Sequence, residues 1–393
     1  MRNEVEIVLV SSGHPALDQR VFAKEAVSLA RAFSRVRVVA PHAGDDVRDR
    51  VRITALPPYR SRLSRFLLRP LQAYWAARGR GPRVLILQDA ELLILAPLVK
   101  LFTGWRLIYD VHEDFPELIR GRTWIPSLLR RPMSNLVALL EKGCARACDG
   151  VTGATGALTE HFPHARRMAL YNLPSRAFID EVARQARPPR ERGYDVVHLG
   201  TLAEAGRLEF LIAVLDELFA RKPEARGLII GVRPDQERAL AAHFPPERVT
   251  VLGKIPYTQV AAYLGDCRIG VSLFPTLYPH LRCAVPVKVF EYMAAGCAVV
   301  TSHLPELQRL IGDEGAAQVT ILYTPDAARG ADELTRLLDD PELLERRHTA
   351  LMQWVRSVWN WDAQADHYVR FVAEIIGTPR AVPDARTRDE LAR

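Results

Sequence analysis

The sequence predicts an α/β protein built from two doubly wound parallel sheets. Short, almost continuously apolar segments alternate with amphipathic segments of helical period along most of the 393 residues. Strands that are apolar on both faces are typical of a parallel sheet covered by helices. The length suits two domains. Most of the apolar segments end in polar or charged residues, as strands do at the edge where such sheets bind ligands.

The first domain is predicted to occupy residues 1–172. Its first strand, VEIVLVS, is followed by a polar loop and by an amphipathic helix that Asp18 can cap. Three further strands of this half follow in βαβ order, and a last one ends in the polar sequence DVHE. The later strands are predicted at 36–41, 52–57, 83–89 and 106–113.

The second domain is predicted at 173–360, after a hinge near 170–190. Its apolar strands alternate with helices, again in the order of a doubly wound sheet. The strands are predicted at 195–200, 227–232, 249–253, 268–274, 297–302 and 319–323. A last helix is predicted at 361–377, and the polar, proline-bearing tail 378–393 is predicted to be disordered.

Composition and charge exclude several classes of protein. The N-terminus lacks the basic start and unbroken apolar core of a signal peptide, and no apolar run reaches the roughly 20 residues of a membrane span. A cytoplasmic protein is therefore expected. The net charge is +7, and residues 59–83 carry seven arginines and no acid, interleaved with leucine and aromatic side chains. This segment is either a solvated helix face or a peripheral contact with the inner face of a membrane. No nucleic-acid motif accompanies it, so a nucleic-acid partner is not expected.

Redox and metal chemistry are not expected from the sequence. The five cysteines are sparse and form no CxxC pair, which indicates reduced structural thiols. No strand is followed by GxGxxG, so transfer of hydride to a nicotinamide is not expected. The stretch YDVHEDF holds one histidine, and no DxD pair stands at a strand end, so no metal is predicted.

The stretch Val285–Val300, VPVKVFEYMAAGCAVV, is the clearest candidate for a site. Pro286 suits a helix start and Gly296 a helix end, so the helix N-terminus is predicted at the ligand edge of the second sheet. Its free N–H groups favour a phosphate, and Lys288 adds a positive charge there. Glu291 lies one turn further on the same face and can accept hydrogen bonds from a ribose diol. The alternative is a surface Lys–Glu pair with no ligand.

Other candidates follow predicted strands in both halves. For each candidate the alternative is a purely structural role, such as a helix cap for Asp18 or a buried histidine for His112. In the first half the candidates are Gly13, Asp18, Arg20, His112 and Glu113; in the second half they are Gly200, Thr201, Arg207, Lys254, Ile255 and Val287.

These motifs, in this order and spacing, resemble family 4 glycosyltransferases of the GT-B fold. The segments that carry the resemblance are HPALDQRVFAKEAVSLA, IYDVHEDFP, HLGTLAEAGRLEFLIAVL and VPVKVFEYMAAGCAVV. The resemblance covers about residues 4–375. It implies two facing Rossmann-like domains, with the final helix crossing back to the first. It also implies a nucleotide-sugar donor in the second domain, an acceptor in the first, and transfer with retention of configuration and without a metal.

The resemblance also assigns roles to individual residues. Glu291 would hold the ribose, and the loop Lys254–Ile255 would contact the base. Arg207 and Lys288 would bind the diphosphate, with Gly13 beside it, and His112 would touch the donor sugar. No cofactor is implied beyond a nucleoside-diphosphate sugar of the UDP or GDP type.

Two departures from the family pattern concern the sugar and the diphosphate. Many members have a second glutamate eight residues before Glu291, where this chain has Cys283. Members also often read RG where this chain reads Gly206–Arg207. The acceptor is expected to be a lipid-linked glycan or a small molecule. The rival functions are a nucleotide-sugar epimerase or phosphorylase on the same scaffold, and a catalytically silent binding partner at a membrane.

Overall fold

The chain forms two compact α/β units. The computed structural model describes residues 5–57, 64, 68–79, 83–122 and 125–377. The first unit consists of the described residues within Met1–Asn172 and Gln364–Arg393, and the second is Leu173–Ala363. No helix within the described residues is both long and apolar enough to cross a bilayer. The predicted disordered tail 378–393 and much of the arginine-rich segment 59–83 lie outside the described residues.

The first unit is built on an eight-stranded sheet of order β3-β4-β2-β1-β5-β6-β7-β8. All neighbours pair in parallel except β3 and β4. The predicted parallel sheet is confirmed, but β3, β7 and β8 were not predicted. The strands are β1 Glu6–Val10, β2 Val36–Pro41, β3 Asp46–Arg48, β4 Val51–Leu56, β5 Arg83–Leu87, β6 Arg106–Val111, β7 Gly150–Gly153 and β8 Arg166–Ala169.

Helices connect these strands because the apolar strand faces need cover on both sides. The first connection begins as the π-helical segment Val21–Ala26 and continues as α-helix. The Asp18 carboxylate accepts hydrogen bonds from the N–H groups of Arg20 and Val21 at 2.8 and 3.0 Å, which confirms its capping role. The helices are Val27–Ala32, Arg69–Ala76, Ala96–Thr103, Phe115–Gly121, Ser127–Ala145 and Gly156–Glu160, with a 3₁₀ segment at Ala90–Leu95.

The final helix, Trp361–Ile376, passes from the second unit into the first. In the first unit, Gln364 accepts a hydrogen bond from the Tyr171 N–H at 3.1 Å. Tyr368 is fully buried there and donates to the Glu25 carboxylate at 3.4 Å. Gly377 ends the helix with a φ of +83°, as the sequence predicted.

The second unit has a six-stranded sheet, all parallel, of order β11-β10-β9-β12-β13-β14. All six strands agree with the prediction to within a few residues. They are β9 Tyr194–Leu199, β10 Gly227–Ile230, β11 Val249–Leu252, β12 Cys267–Ser272, β13 Ala298–Ser302 and β14 Val319–Leu322. The order reverses between β9 and β12, and ligands bind at the carboxyl ends of strands at such a reversal.

The helices of the second unit cover both faces of this sheet. One side of the sheet packs on a core of aliphatic side chains that includes Val214, Leu218 and Leu334, all fully buried. The helices are Arg176–Gln185, Arg207–Arg221, Pro234–His243, Tyr257–Leu264, Val287–Ala294, Pro305–Gln318, Ala327–Leu338 and Pro341–Ser357, with 3₁₀ segments at Pro189–Glu191 and Pro279–Cys283. All five cysteines lie within the described residues and are thiols without disulfides.

Candidate functional site

The helix Val287–Ala294 starts at the reversal point of the second sheet. It begins directly after Pro286 and is followed by Gly296 at a φ of +63°. The Tyr292 ring packs on Gly270 of β12 so closely that a Cβ there would lie 2.2 Å from the ring. The Tyr292 hydroxyl accepts from the Leu199 N–H at 2.8 Å and donates to the Val271 carbonyl at 3.2 Å. This tyrosine therefore fixes the helix against the ends of both β9 and β12.

Lys288 points its ammonium group at the backbone that follows β9. Gly200 has a φ of +94°, and a Cβ at this position would lie 3.2 Å from Lys288 Nζ. The residue is half-buried and makes no hydrogen bond or ion pair with the described residues. Burial, and after it the positive charge of Arg207, lower the pKa of Lys288 from 10.5 to about 7, against the opposing effect of the Glu204 and Glu291 carboxylates. The nearby carboxylates do not outweigh burial and Arg207, so a bound anion would add the counter-charge that favours the ammonium form.

Glu291 is buried one turn after Lys288, and a tyrosine fixes its orientation. The Tyr257 hydroxyl donates to Glu291 Oε1 at 2.7 Å, and its ring stacks on Phe178 with centroids 5.1 Å apart. Burial and the Glu291 carboxylate both raise the pKa of Tyr257, so the phenol remains a donor. Tyr257 begins the helix that follows Lys254 and Ile255, so the loop after β11 lies beside Glu291.

Arg207 opens the helix Arg207–Arg221 and is buried. Its Nε donates to the Leu273 carbonyl at 2.9 Å, its Nη1 to Glu204 at 2.7 Å, and its guanidinium lies 3.8 Å from the centre of the Phe274 ring. Within the described residues, Nη2 has no hydrogen-bond partner. Arg207 thus joins the ends of β9 and β12 and adds positive charge near Lys288.

The other predicted residues of the second unit differ in exposure. Thr201 and Lys254 are exposed, while Ile255 and Val287 are half-buried. His198, which was not predicted, is buried just before Gly200, and burial together with the charges of Lys288 and Arg207 lowers its pKa well below the ordinary value. Gly200, Arg207 and Glu291 lie around Lys288 near the start of the helix Val287–Ala294.

The first sheet also reverses, between β1 and β5, and polar groups meet there. The Asp89 carboxylate accepts from the Ser11 hydroxyl at 2.8 Å and from the Ser12 N–H at 2.7 Å. Gly13 follows, with its N–H 3.4 Å from the same carboxylate. Asp89 was not predicted as a site residue, although it stands at the end of a predicted strand.

Arg20 contributes to a buried charge network instead of standing in the loop. Its Nη2 donates to both Asp110 oxygens at 3.0 Å, its Nε lies 3.0 Å from Glu25, and its Nη1 donates to the Leu170 carbonyl. Burial opposes ionisation of Asp110, but Arg20 and His112 outweigh it and hold the pKa of that carboxyl well below its ordinary value. Burial and the charge of Asp110 raise the pKa of Glu25, against the effect of Arg20. These contacts favour a structural role for Arg20.

His112 is oriented by the same network. Gln88 donates from Nε2 to Glu25 at 2.9 Å, so its Oε1 faces His112 Nε2 at 2.7 Å. Asp110 Oδ2 lies 2.9 Å from the same nitrogen. Because both neighbours are acceptors, Nε2 carries the proton, and Nδ1 of a neutral ring is left as the acceptor. The His14 ring lies beside it, with centroids 4.9 Å apart.

Three of these side chains also form a candidate cation site. Ligand atoms of Glu25, Asp110 and His112 lie within 4.8 Å of one another. The guanidinium of Arg20 already lies against both carboxylates and supplies their positive charge.

Two other predicted residues of the first unit lie outside this network. Asp18 caps the turn described above, and Glu113 is exposed.

Comparison with known proteins shows that the second unit is similar to glycosyltransferases. Residues 193–340 match the family model described as glycosyl transferases group 1. Alpha-D-kanosaminyltransferase of Streptomyces kanamyceticus is 28% identical over 176 residues, which are 42% of this chain and 43% of the relative. Phosphatidyl-myo-inositol mannosyltransferase of Mycolicibacterium smegmatis is 27% identical over 208 residues, 52% and 51% of the two chains. The chain thus spans about half the length of the curated relatives it matches.

Solved structures extend the likeness to the whole fold. Sucrose-phosphate synthase from Thermosynechococcus elongatus has a TM-score of 0.74 at 18% identity, covering 95% of this chain and 99% of that one. The Anabaena protein HepE, in complex with UDP and glucose, has a TM-score of 0.65 at 13% identity, covering 96% and 100%. The predicted GT-B fold and the resemblance to glycosyltransferases are confirmed.

Proposed function

Because residues 193–340 carry a glycosyl transferases group 1 domain, we propose that the protein transfers a sugar from a nucleoside-diphosphate sugar to an acceptor hydroxyl. The observation that carries the proposal is Lys288. A lysine whose pKa is lowered to about 7, without a hydrogen-bonding partner in the described residues, is costly to the fold unless an anion binds it. It stands at a helix N-terminus at a sheet reversal, where a diphosphate is bound most favourably.

The donor would be held by three features of the second unit. Lys288 and the N–H groups at the start of its helix contact the diphosphate, and Gly200 lets the diphosphate approach the backbone after β9. The Glu291 carboxylate, oriented by Tyr257, accepts hydrogen bonds from the ribose hydroxyls. The loop at Lys254 and Ile255 contacts the base. A UDP-type donor is favoured by the UDP that HepE binds, and GDP is the alternative.

The reaction we propose retains the configuration at the anomeric carbon. The bond from that carbon to the diphosphate oxygen breaks on the same face on which the acceptor oxygen bonds. The acceptor proton passes to a phosphate oxygen of the leaving group, so the products are a glycoside and a nucleoside diphosphate. Lys288 and the helix N-terminus stabilise the charge that develops on the leaving group, with Arg207 nearby.

In the first unit, His112 would contact the sugar. A hydroxyl group that donates to Nδ1 is compatible with the tautomer that Gln88 and Asp110 impose on the ring. The buried carboxylates Asp110 and Glu25 are held by Arg20, which argues against either as a glycosyl nucleophile. The acceptor, whether a lipid-linked glycan or a small molecule, and a place in the cytoplasm or at the inner membrane face stay predictions.

The test begins with a thermal-shift screen of UDP, GDP, dTDP and their sugars, because a bound ligand raises the melting temperature. The sugar nucleotide with the largest shift is then incubated with the protein, and slow release of the nucleoside diphosphate is followed. We expect Lys288→Ala and Glu291→Ala to abolish release, and variants of the half-buried Lys222 and the exposed Glu224, Lys222→Ala and Glu224→Ala, to keep it.

Full activity in both site variants would show that the site is assigned wrongly. An epimerised nucleotide sugar, or cleavage of a glycan that depends on phosphate, would favour the epimerase or phosphorylase instead. A chain that binds no nucleotide sugar at all would favour the silent binding partner.

A further inference from the structure

The helix Ser127–Ala145 of the first unit exposes its apolar face. The buried side chains of this 19-residue helix are Ser134, Glu141 and Ala145, which are small or polar. The exposed large apolar side chains are Leu128, Leu129, Met133, Leu136, Leu139 and Leu140, and we call these six the apolar face. Leu128 is 88% exposed and Leu139 is 69% exposed. Helices on the surface of a globular domain have the opposite arrangement.

The helical period places these two sets on opposite sides. Leu129, Met133, Leu136 and Leu140 follow the spacing i, i+4, i+7 and i+11, which is one stripe at about 3.6 residues per turn. Leu128 and Leu139 lie three turns apart at the edge of that stripe. The buried Glu141 is held by the sheet, because the hydroxyl of Tyr109 on β6 donates to its carboxylate at 2.6 Å. The protein thus anchors the polar side of this helix and leaves the apolar side uncovered.

Neighbouring elements of the same unit expose further apolar side chains. The 3₁₀ segment Ala90–Leu95 packs against the helix Ser127–Ala145 and against both Arg69–Ala76 and Ala96–Thr103. Leu98, Leu101 and Phe102 of the last helix are exposed, Phe102 by 79%. Leu71 and Trp75, one turn apart in Arg69–Ala76, are exposed as well. An exposed apolar surface of this extent marks an interaction site.

The charges on these elements indicate which partner fits. Both acidic side chains within 68–79, 90–104 and 127–146, Glu91 and Glu141, are buried. The exposed charged residues of these segments are Arg78, Arg131, Lys142 and Arg146. Arg78 lies over the exposed Trp75 ring at 3.9 Å. On these three segments the exposed charges are all cations, which is complementary to the headgroups of an anionic membrane. The adjacent helix Phe115–Gly121 adds one acidic side chain, Glu117, which pairs with Arg120.

We propose that the apolar face docks on the surface of an anionic phospholipid bilayer. The leucines enter the boundary between headgroups and acyl chains, and Arg131 and Lys142 reach the lipid phosphates with their long side chains. The sequence suggested that the arginine-rich segment 59–83 contacts a membrane. We instead centre the proposed contact on the helix Ser127–Ala145. This proposal depends on exposure and charge, and it stands whether or not the sugar transfer proposed above is correct.

The test is co-sedimentation of the full chain with vesicles of phosphatidylcholine and phosphatidylglycerol, and with phosphatidylcholine alone. We expect binding to the anionic vesicles that weakens as salt is raised. The double variant Leu136→Gln, Leu139→Gln is expected to bind at least about tenfold more weakly. It loses the free energy gained when two apolar side chains are transferred from water into the bilayer. The double variant Arg131→Gln, Lys142→Gln is expected to lose most of the preference for anionic vesicles.

The matched control is Val47→Gln, which removes an exposed apolar side chain on β3 of the same unit and should keep full vesicle binding. Circular dichroism and the thermal melt check that each variant folds, as surface substitutions should. Wild-type protein that does not sediment with anionic vesicles, or a leucine variant that sediments as well as wild type, overturns the proposal. So does a concentration-dependent dimer without vesicle binding that the leucine variant abolishes, because the face would then bind a second copy of the chain.

Discussion

In the first unit, the guanidinium of Arg20 contacts two carboxylates, whereas in the second unit the ammonium of Lys288 contacts none by hydrogen bond among the described residues. Arg20 lies against Asp110 at the end of β6 in the first sheet, whereas Lys288 stands at the reversal point of the second sheet. The first is neutralised by side chains that the fold itself supplies, so it stabilises the unit and orients His112. The second has a lowered pKa, because the more distant charges of Glu204 and Glu291 do not outweigh burial and Arg207. A cation that makes no direct ion pair with the described residues is the better candidate for binding a ligand.

The largest effect on stability is expected at Arg20. Arg20→Met leaves Asp110 and Glu25 buried without their counter-charge, so we expect the free energy of unfolding to fall by about 3–5 kcal/mol. Urea denaturation followed by circular dichroism measures it. Arg31→Met, at an exposed position of the same helical segment, should change it by less than about 0.5 kcal/mol. Equal effects of the two variants would mean that the network does not stabilise the unit.

At Lys288 we expect a large effect on activity and no loss of stability. Lys288→Met removes a charge that stabilises the leaving group, so kcat/KM for the nucleotide sugar should fall by about 10²–10³. Its free energy of unfolding should not fall, because the folded protein holds the charged lysine unfavourably. Lys222→Met, which loses an ion pair with Asp339, should keep kcat/KM. A Lys288 variant that is both active and unstable would make this lysine a structural residue.

A smaller effect is expected at Tyr257. Tyr257→Phe removes the hydrogen bond to Glu291 and frees its carboxylate to turn. We expect KM for the donor to rise about fivefold, the equivalent of about 1 kcal/mol, with little change in kcat. Initial-rate kinetics measure both constants, with Tyr323→Phe on the exposed surface as the control. A fall in kcat at unchanged KM would contradict a role confined to ribose binding.

The difference between the two units also explains what the sequence could predict. Local pattern identified the second sheet and the ends of the helix Val287–Ala294, because apolar runs, Pro286 and Gly296 are read from neighbouring residues. Lys288 and Glu291 were proposed as site residues in the same way, since both lie on that helix. The strands β7 and β8, GVTG and RRMA, were missed because each is short and lacks an apolar run.

Contacts between distant residues could not be predicted from one sequence. Arg20 and Asp110 are 90 residues apart, so nothing near Arg20 indicated that its guanidinium would be buried in an ion pair. Tyr257 reaches Glu291 across 34 residues. The apolar stripe at Leu129, Met133, Leu136 and Leu140 would predict a buried helix face, and only the structure shows that the face is exposed.

The lowered pKa of Lys288 makes both the stability of the protein and the binding of a diphosphate depend on pH. Because the pKa is lowered to about 7 in the folded protein, the unfolded chain binds more protons between about pH 7 and the ordinary value of 10.5. The contribution of Lys288 to stability therefore improves as pH rises through this window. A bound diphosphate has the opposite effect, because its negative charge raises the pKa of the lysine again.

The most direct test of the nucleotide site is the uptake of protons on binding. UDP and GDP are titrated into the protein at pH 8 by calorimetry, in buffers with different enthalpies of ionisation. With a pKa of about 7, roughly nine-tenths of Lys288 is neutral before binding. We predict an uptake that approaches one proton for the nucleotide that binds, and none in Lys288→Met, which should also bind more weakly. The same uptake and affinity in both proteins would contradict the assignment of Lys288 to the diphosphate.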